Sequence, residues 1–127
     1  MGVCIVLALW GSLAYVDFEN DYQQQSRDPF MIAPQSARLE ALRAALPDSA
    51  VLGYVTDAAP DSVTGQTMFN AARYALAPRM MVQGVDHDAV LGNFARPADY
   101  AAYASQRGLR LAQDFGNGVV LFRKGDR

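Results

Sequence analysis

The sequence predicts an α/β protein: a three-layer-like mixed sheet of four or five strands, about three helices, a C-terminal β-hairpin and an N-terminal hydrophobic segment. The first observation is the order of patterns from Val51 to Gly84. This stretch consists of an apolar run, a polar loop, a segment with apolar residues at helical spacing and a second apolar run, which is the order of a βαβ unit. The second observation is a pair of apolar runs around Gly116-Asn117-Gly118, whose residues supply the positive φ angles of a tight hairpin.

The N-terminal segment from Gly2 to Val16 carries no charge and ends at a sharp polar boundary, which begins with Asp17. As a helix of about 15 residues it spans about 22 Å, short of the ~20 residues of a typical membrane span. Three interpretations remain open: a short signal-anchor, the last membrane helix of a larger protein, or a buried element of a soluble domain. We expect residues 1–16 to anchor the chain in the cell membrane as a single pass. No Lys or Arg follows until Arg27, which favours a C-terminal part outside the cytoplasm.

The remainder of the chain divides into a polar tether, residues 17–35, and a small α/β domain, residues 36–127. The tether contains three consecutive Gln and two Pro, so an irregular conformation is expected. Within the domain the sequence predicts three helices: one capped by Ser36 and ended by Pro47, one over 65–77 capped by Thr64, and one from Pro97 to Gly108. The predicted strands are 51–56, 79–83, 89–94 and the two arms of the hairpin within 109–124.

The connection between the second and third predicted strands, residues 84–88, is shorter than a usual parallel crossover. Two arrangements are open: the two strands are antiparallel, or the connection runs almost straight across the sheet.

Composition excludes several classes of function. The net charge is −2 and the isoelectric point is near 5.2, so the chain lacks the positive field that nucleic-acid binding requires, and no nucleic-acid partner is expected. The chain has one Cys and one His, so no zinc-ligand set can be assembled and no metal or cofactor is predicted. His87 lies between Asp86 and Asp88, where we expect a solvent-exposed turn rather than a metal site or a general base.

A candidate ligand-binding site lies at the carboxyl ends of the predicted strands, where ligands of open α/β sheets collect. Its candidate residues are Asp57, Asp61, Ser62, Thr64, Gly65 and Gln66 after the first strand, and Asn93 and Arg96 after the third. The loop has no glycine-rich phosphate motif, and two carboxylates repel phosphate, so a sugar hydroxyl or a divalent cation is favoured over a nucleotide. The alternative is a capped loop without a ligand. No catalytic residue is predicted, because no Ser or Thr has a partner His.

Three segments, LGYVTD, ARYALAP and GLRLAQDFGNGVVLFRK, carry a resemblance that covers about residues 50–124. They resemble the extracytoplasmic C-terminal region of bacterial multi-pass membrane proteins of the glycosyltransferase (GT-C-like) or uncharacterised kind. In that class the catalytic acidic residue lies near N-terminal membrane helices, and no residue here corresponds to it.

The resemblance implies a membrane-tethered accessory or binding domain of the cell envelope. A larger membrane protein or an envelope glycan is the expected partner. The alternative function is a small envelope enzyme, or a glycosyltransferase-associated fragment, that acts on a sugar or a lipid-linked substrate.

Overall fold

A computed structural model describes residues 2–125 as a five-stranded mixed sheet with four helices. The helices are α1 (Gly2–Ser26), α2 (Ile32–Ala45), α3 (Val63–Leu76) and α4 (Tyr100–Ser105), and the strands are β1 (Val51–Val55), β2 (Met80–Gln83), β3 (Ala89–Asn93), β4 (Leu109–Gly116) and β5 (Val119–Lys124). The strand order is β2-β1-β3-β5-β4. Strand β1 is parallel to β2 and to β3, whereas β5 is antiparallel to both β3 and β4. The predicted α/β class, the mixed sheet and the C-terminal hairpin are therefore confirmed.

Helices pack on both faces of the sheet, and each face has its own cluster of buried apolar side chains. On one face, α2 and α3 contribute Leu39, Leu42 and Leu76, which pack with Leu52 and Leu91 of the central strands. The other face carries an aromatic cluster under α4, made of Phe94, Tyr100, Tyr103 and Phe122. The two layers give the three-layer arrangement that the sequence predicts.

The connection from β2 to β3 takes the second of the two open arrangements. Both strands are parallel to β1 and lie on opposite sides of it, so residues 84–88 must cross β1. The N–H of Gly84 donates to the carbonyl of Tyr54 at 3.0 Å, and Val85 packs against the cluster under α4. A Cβ on Gly53 would lie 2.5 Å from the Gly84 carbonyl oxygen, so a glycine in β1 is what admits the crossing chain.

The irregular conformation predicted for residues 17–35 is wrong over most of that range. Helix α1 continues to Ser26, supported by the stacked rings of Phe18 and Tyr22 and by a hydrogen bond from Gln23 to Glu19. Pairs four residues apart face each other on a helix, so the polar half of α1 has the contacts that sustain it.

Helix α2 begins at Ile32, not after Ser36 as predicted. The carboxylate of Asp28 accepts hydrogen bonds from the N–H groups of Ile32 and Ala33, both at 2.7 Å. These bonds satisfy two N–H groups that the first helical turn leaves free, so the helix starts five residues earlier than predicted. Pro34 lies in that first turn, where proline is tolerated.

Two further helix starts differ from the prediction for the same reason. Helix α3 is capped by Ser62, whose hydroxyl accepts from the N–H of Gly65 at 3.0 Å, and the predicted Thr64 cap is wrong. Helix α4 is capped by Asp99, so Pro97 lies before the helix and not in its first turn. In each case an oxygen-bearing side chain near the predicted helix start supplies the bond, and sequence alone could not select among such neighbours.

Candidate functional site

The predicted site corresponds to the point where the connections after β1 and β3 diverge. Strand β1 leads through α3 to β2 on one side, and β3 leads through α4 to the hairpin on the other side. Crevices at such points bind ligands in open α/β folds. Here the carboxylate of Asp57, after β1, accepts hydrogen bonds from the N–H groups of Ala95 (2.8 Å) and Arg96 (3.0 Å), after β3. A side chain of the protein itself therefore joins the two loops.

This clamp fixes the protonation state of Asp57. Partial burial acts to raise the pKa of Asp57, but the hydrogen bonds from Ala95 and Arg96, helped by the charge of the Arg96 side chain, outweigh it. The pKa therefore lies below its usual value, and the carboxylate stays ionised at neutral pH. A carboxylate with a lowered pKa is a weak base, so Asp57 is better suited to hold the two loops together than to accept a proton.

Two cavities flank the clamp, and they share no lining residue. We name the first the Gly65 cavity. Its volume is about 380 Å³, and it is lined by Tyr54, Val55, Thr56, Pro60, Gly65, Gln83, Gly84 and Tyr103. No charged side chain lines it. Gly65 itself is buried, and a Cβ at this position would collide with the carbonyl group of Ala59, so the loop packs tightly against the start of α3.

The second, which we name the Arg96 cavity, has a volume of about 460 Å³. It is lined by Arg38, Phe94, Ala95, Arg96, Pro97, Tyr100, Asn117 and Gly118. Two arginines contribute to this lining and no carboxylate does. The single predicted crevice is thus replaced by one neutral and one cationic cavity, each lined by residues adjacent to or bonded by Asp57.

The structure brings some of the predicted site residues together and separates others. Gly65 lines the Gly65 cavity and Arg96 lines the other one. Gln66 donates to the carbonyl of Pro60 at 2.7 Å and so folds back on its own loop. The side chains of Asp61 and Thr64 are exposed, and neither residue lines a cavity described above.

Asn93 lies beneath the site and not at its surface. It is fully buried, and its amide Nδ2 donates to Oε1 of Gln35 and to the hydroxyl of Tyr54, both at 3.2 Å. Burial raises the pKa of the Tyr54 phenol, and the hydrogen bond with Asn93 acts in the opposite direction. This network ties α2 to the carboxyl ends of β1 and β3, so Asn93 positions the edge of the sheet on which the site is built.

Gln35 and Arg38 were missed as contributors to this edge. Gln35 falls on the apolar stripe that also contains Leu39 and Leu42, which is the signal that could have identified a buried polar contact. Arg38 gives no such signal. Its guanidinium donates to the carbonyls of Asn117 (Nε, 2.8 Å) and Phe94 (Nη2), which are far away in sequence.

The remaining chemistry-bearing residues have structural roles or no cluster around them. Buried Arg79 donates to the carbonyls of Arg43 (2.8 Å) and Leu46 (2.6 Å) and pairs with Asp48 at 2.9 Å, so it caps the end of α2. His87 is half-buried in the crossing connection. Among residues 2–125, no group of three His, Cys, Asp or Glu side chains could hold a metal ion.

Comparison of the chain with protein-family models, with curated proteins and with solved structures finds no match. The function must therefore be inferred from the helix α1, the clamp and the two cavities.

Proposed function

We propose that this protein is a membrane-tethered binding domain of the bacterial cell envelope, held outside the cytoplasm by α1. The observation that carries the proposal is α1 itself. Residues Gly2–Gln24 form a helix that is long enough and apolar enough to cross a membrane. Its most apolar stretch has a mean hydropathy of 1.5, and none of that stretch is buried. Leu9, Trp10 and Leu13 are 60 to 75% exposed. Soluble monomers rarely leave so continuous an apolar surface uncovered, and a lipid bilayer would cover it.

Orientation is proposed from charge. Asp17, Glu19 and Asp21 follow the apolar half of α1, and no cation precedes Arg27. Since Lys and Arg accumulate on the cytoplasmic flank of membrane helices, a flank that has no Lys or Arg before Arg27 favours the outer side. The resemblance to the extracytoplasmic region of multi-pass membrane proteins agrees with that side, and it adds a larger membrane protein as a candidate partner.

Binding, and not catalysis, is supported by the state of Asp57. Both oxygens of the Asp57 carboxylate accept backbone hydrogen bonds and its pKa is lowered, which makes it a weak base, whereas acid–base catalysis works best with a group whose pKa lies near the operating pH. The Gly65 cavity offers Thr56 and Gln83 as polar groups and Tyr103 as an aromatic wall. A neutral, hydroxyl-rich ligand such as a sugar of an envelope glycan suits this lining better than a cation, because no carboxylate faces it.

Ligand binding is tested with the full chain in nanodiscs of zwitterionic lipid, titrated with N-acetylglucosamine and followed by amide NMR shifts. We expect saturable shifts at Thr56, Gly65 and Gln83. Gln83→Ala should weaken binding, whereas Gln113→Ala, which removes an exposed amide on β4 away from the cavity, should not. Equal effects of the two variants, or no saturable shift in the wild-type chain, would refute the proposed ligand class.

Orientation is tested separately in cells that express the full chain with Cys4→Ser and Ser105→Cys, because Ser105 is exposed at the end of α4. A membrane-impermeant maleimide should label spheroplasts as fully before lysis as after it. Labelling only after lysis would place the domain in the cytoplasm and contradict the proposal.

A further inference from the structure

We propose a second binding site, for a phosphate group, in the Arg96 cavity. The site differs from the Gly65 cavity in residues and in charge, and it does not depend on the proposed sugar ligand. Its defining feature is the convergence of Arg38 from α2 and Arg96 from the loop after β3 on one concave surface. Within residues 2–125, neither arginine forms a salt bridge, so neither positive charge is directly paired with a carboxylate.

The guanidinium of Arg38 is held in place before any ligand arrives. Nε and Nη2 donate to the carbonyls of Asn117 and Phe94, and Nη1 makes no hydrogen bond within the described part of the chain. A Cβ at Gly118 would collide with the carbonyl oxygen of Phe94 and lie 2.7 Å from Nη2, so glycine lets the hairpin turn pack closely against both groups. Since the two partners are neutral carbonyls, the positive charge of Arg38 is positioned but not neutralised. A preorganised donor of this kind loses little conformational entropy on binding an anion.

Arg96 supplies the second cation. Its backbone N–H is fixed by Asp57, while its side chain is exposed and makes no hydrogen bond among the described residues. The negative charge of Asp57 lies close enough to Arg96 for the two to interact, but both of its oxygens already accept backbone N–H groups. Two cations and one carboxylate leave a net positive charge at the cavity. A tetrahedral anion with several acceptor oxygens can accept hydrogen bonds from both guanidinium groups at once.

The position of the cavity brings in a lipid headgroup as a second source of phosphate, beside phosphate in solution. Helix α1 leads into the first turns of α2, and those turns carry Gln35 and Arg38, which contact the sheet edge beside the cavity. The site therefore lies at the end of the domain that the α1 connection enters. The phosphate of an anionic lipid headgroup and a soluble phosphate share the same recognition chemistry, and experiment can separate the two sources.

The test uses the full chain in nanodiscs of phosphatidylcholine, titrated with inorganic phosphate against chloride at equal ionic strength. Saturable amide shifts at Ala95, Arg96 and Asn117, together with a shift of the Arg38 side-chain Nε–H, are expected. Arg96→Gln should raise the dissociation constant about tenfold, the effect of losing one charge-assisted hydrogen bond. Arg110→Gln removes an exposed charge on β4, which does not line the cavity, and should leave the dissociation constant unchanged.

The second arm replaces part of the phosphatidylcholine by phosphatidylglycerol and omits soluble phosphate. Shifts at the same residues would assign the site to a lipid headgroup, and their absence together with binding in the first arm would assign it to a soluble phosphate. Arg38→Lys serves as a second variant, because it keeps the positive charge but loses the fixed guanidinium geometry. It should weaken phosphate binding, and it tests the site independently of any change that Arg96→Gln causes in the loop after β3. The proposal is overturned if neither arm gives saturable shifts at these residues. It is also overturned if Arg110→Gln weakens binding as much as Arg96→Gln, since attraction would then be unspecific.

Discussion

The passage of the β2–β3 connection over β1 predicts that Gly53→Ala strongly destabilises the domain. The added Cβ would lie 2.5 Å from the carbonyl oxygen of Gly84 and 3.0 Å from Cγ2 of Val90. Gly84 is held to β1 by its own hydrogen bond to Tyr54, and Val90 is fully buried, so neither neighbour can move without breaking a contact. Overpacking a rigid site costs about 1–3 kcal/mol, and we expect the upper half of that range.

The assay is thermal unfolding of the full chain in nanodiscs, followed by near-ultraviolet circular dichroism. For a domain of this size, about 2–3 kcal/mol corresponds to a melting temperature about 10–20 °C lower. Gly11→Ala is the matched control, because it is the same chemical change at a position where an added Cβ meets nothing within 4 Å. A melting temperature for Gly53→Ala within about 3 °C of the wild type would refute the inferred crossing and the role of Gly53 in it.

Three further predictions concern the core, the clamp and a helix cap. Leu52→Asp should unfold the domain, because an unpaired charge at this fully buried position costs several kcal/mol, and the total free energy of unfolding is only about 5–15 kcal/mol. An unchanged melting curve would show that Leu52 is not in a buried strand. Asp57→Ala should lower the free energy of unfolding by about 1–2 kcal/mol at pH 7, because it removes two hydrogen bonds whose strength the solvent partly reduces. The pKa of Asp57 is lower in the folded chain than in the unfolded chain, where it is about 4. Asp57 therefore contributes to the free energy of unfolding at pH values above about 4, and this contribution is lost as the pH falls through the pKa of the folded state. Denaturant titrations of wild type and variant should therefore converge at low pH, and a constant difference would contradict the clamp. Asp28→Ala should cost about 0.5–2 kcal/mol and speed hydrogen exchange in the first turn of α2, whereas unchanged exchange there would argue against the cap.

Elements whose formation depends on local pattern were predictable from the sequence. Strand β1 is a continuous apolar run, and the β4–β5 hairpin closes on Asn117 (φ 53°) and Gly118 (φ 79°), which suit the positive φ angles of a tight turn. Helix α3 was recognisable from its apolar spacing, although the capping residue was misplaced by two positions. These features are dictated by neighbours within a few residues, so a single sequence contains the information.

Features that depend on contacts between distant residues were not predictable. The direction of β3 requires residues 84–88 to cross β1 at Gly53, and the sequence does not indicate that Gly84 packs against that glycine. The candidate site was predicted at the carboxyl ends of the strands. The sequence did not indicate that Asn93 is buried, or that Asp57 bonds to Ala95 and Arg96, which lie some forty positions away. The sequence therefore predicted where a site could lie and not how it is divided.

Membrane anchoring through α1 is the central claim, and vesicle flotation after an alkaline carbonate wash tests it most directly. The full chain should float with the vesicles, because the apolar half of α1 has no cover in the protein. Leu9→Arg with Leu13→Arg should release the chain, since each arginine within the apolar segment costs about 2.5–3.5 kcal/mol of insertion free energy. Asn20→Arg with Gln24→Arg adds the same charge to the polar half and should still float. Recovery of the wild-type chain from the aqueous fraction as a monodisperse monomer, or identical behaviour of the two double variants, would contradict anchoring by α1.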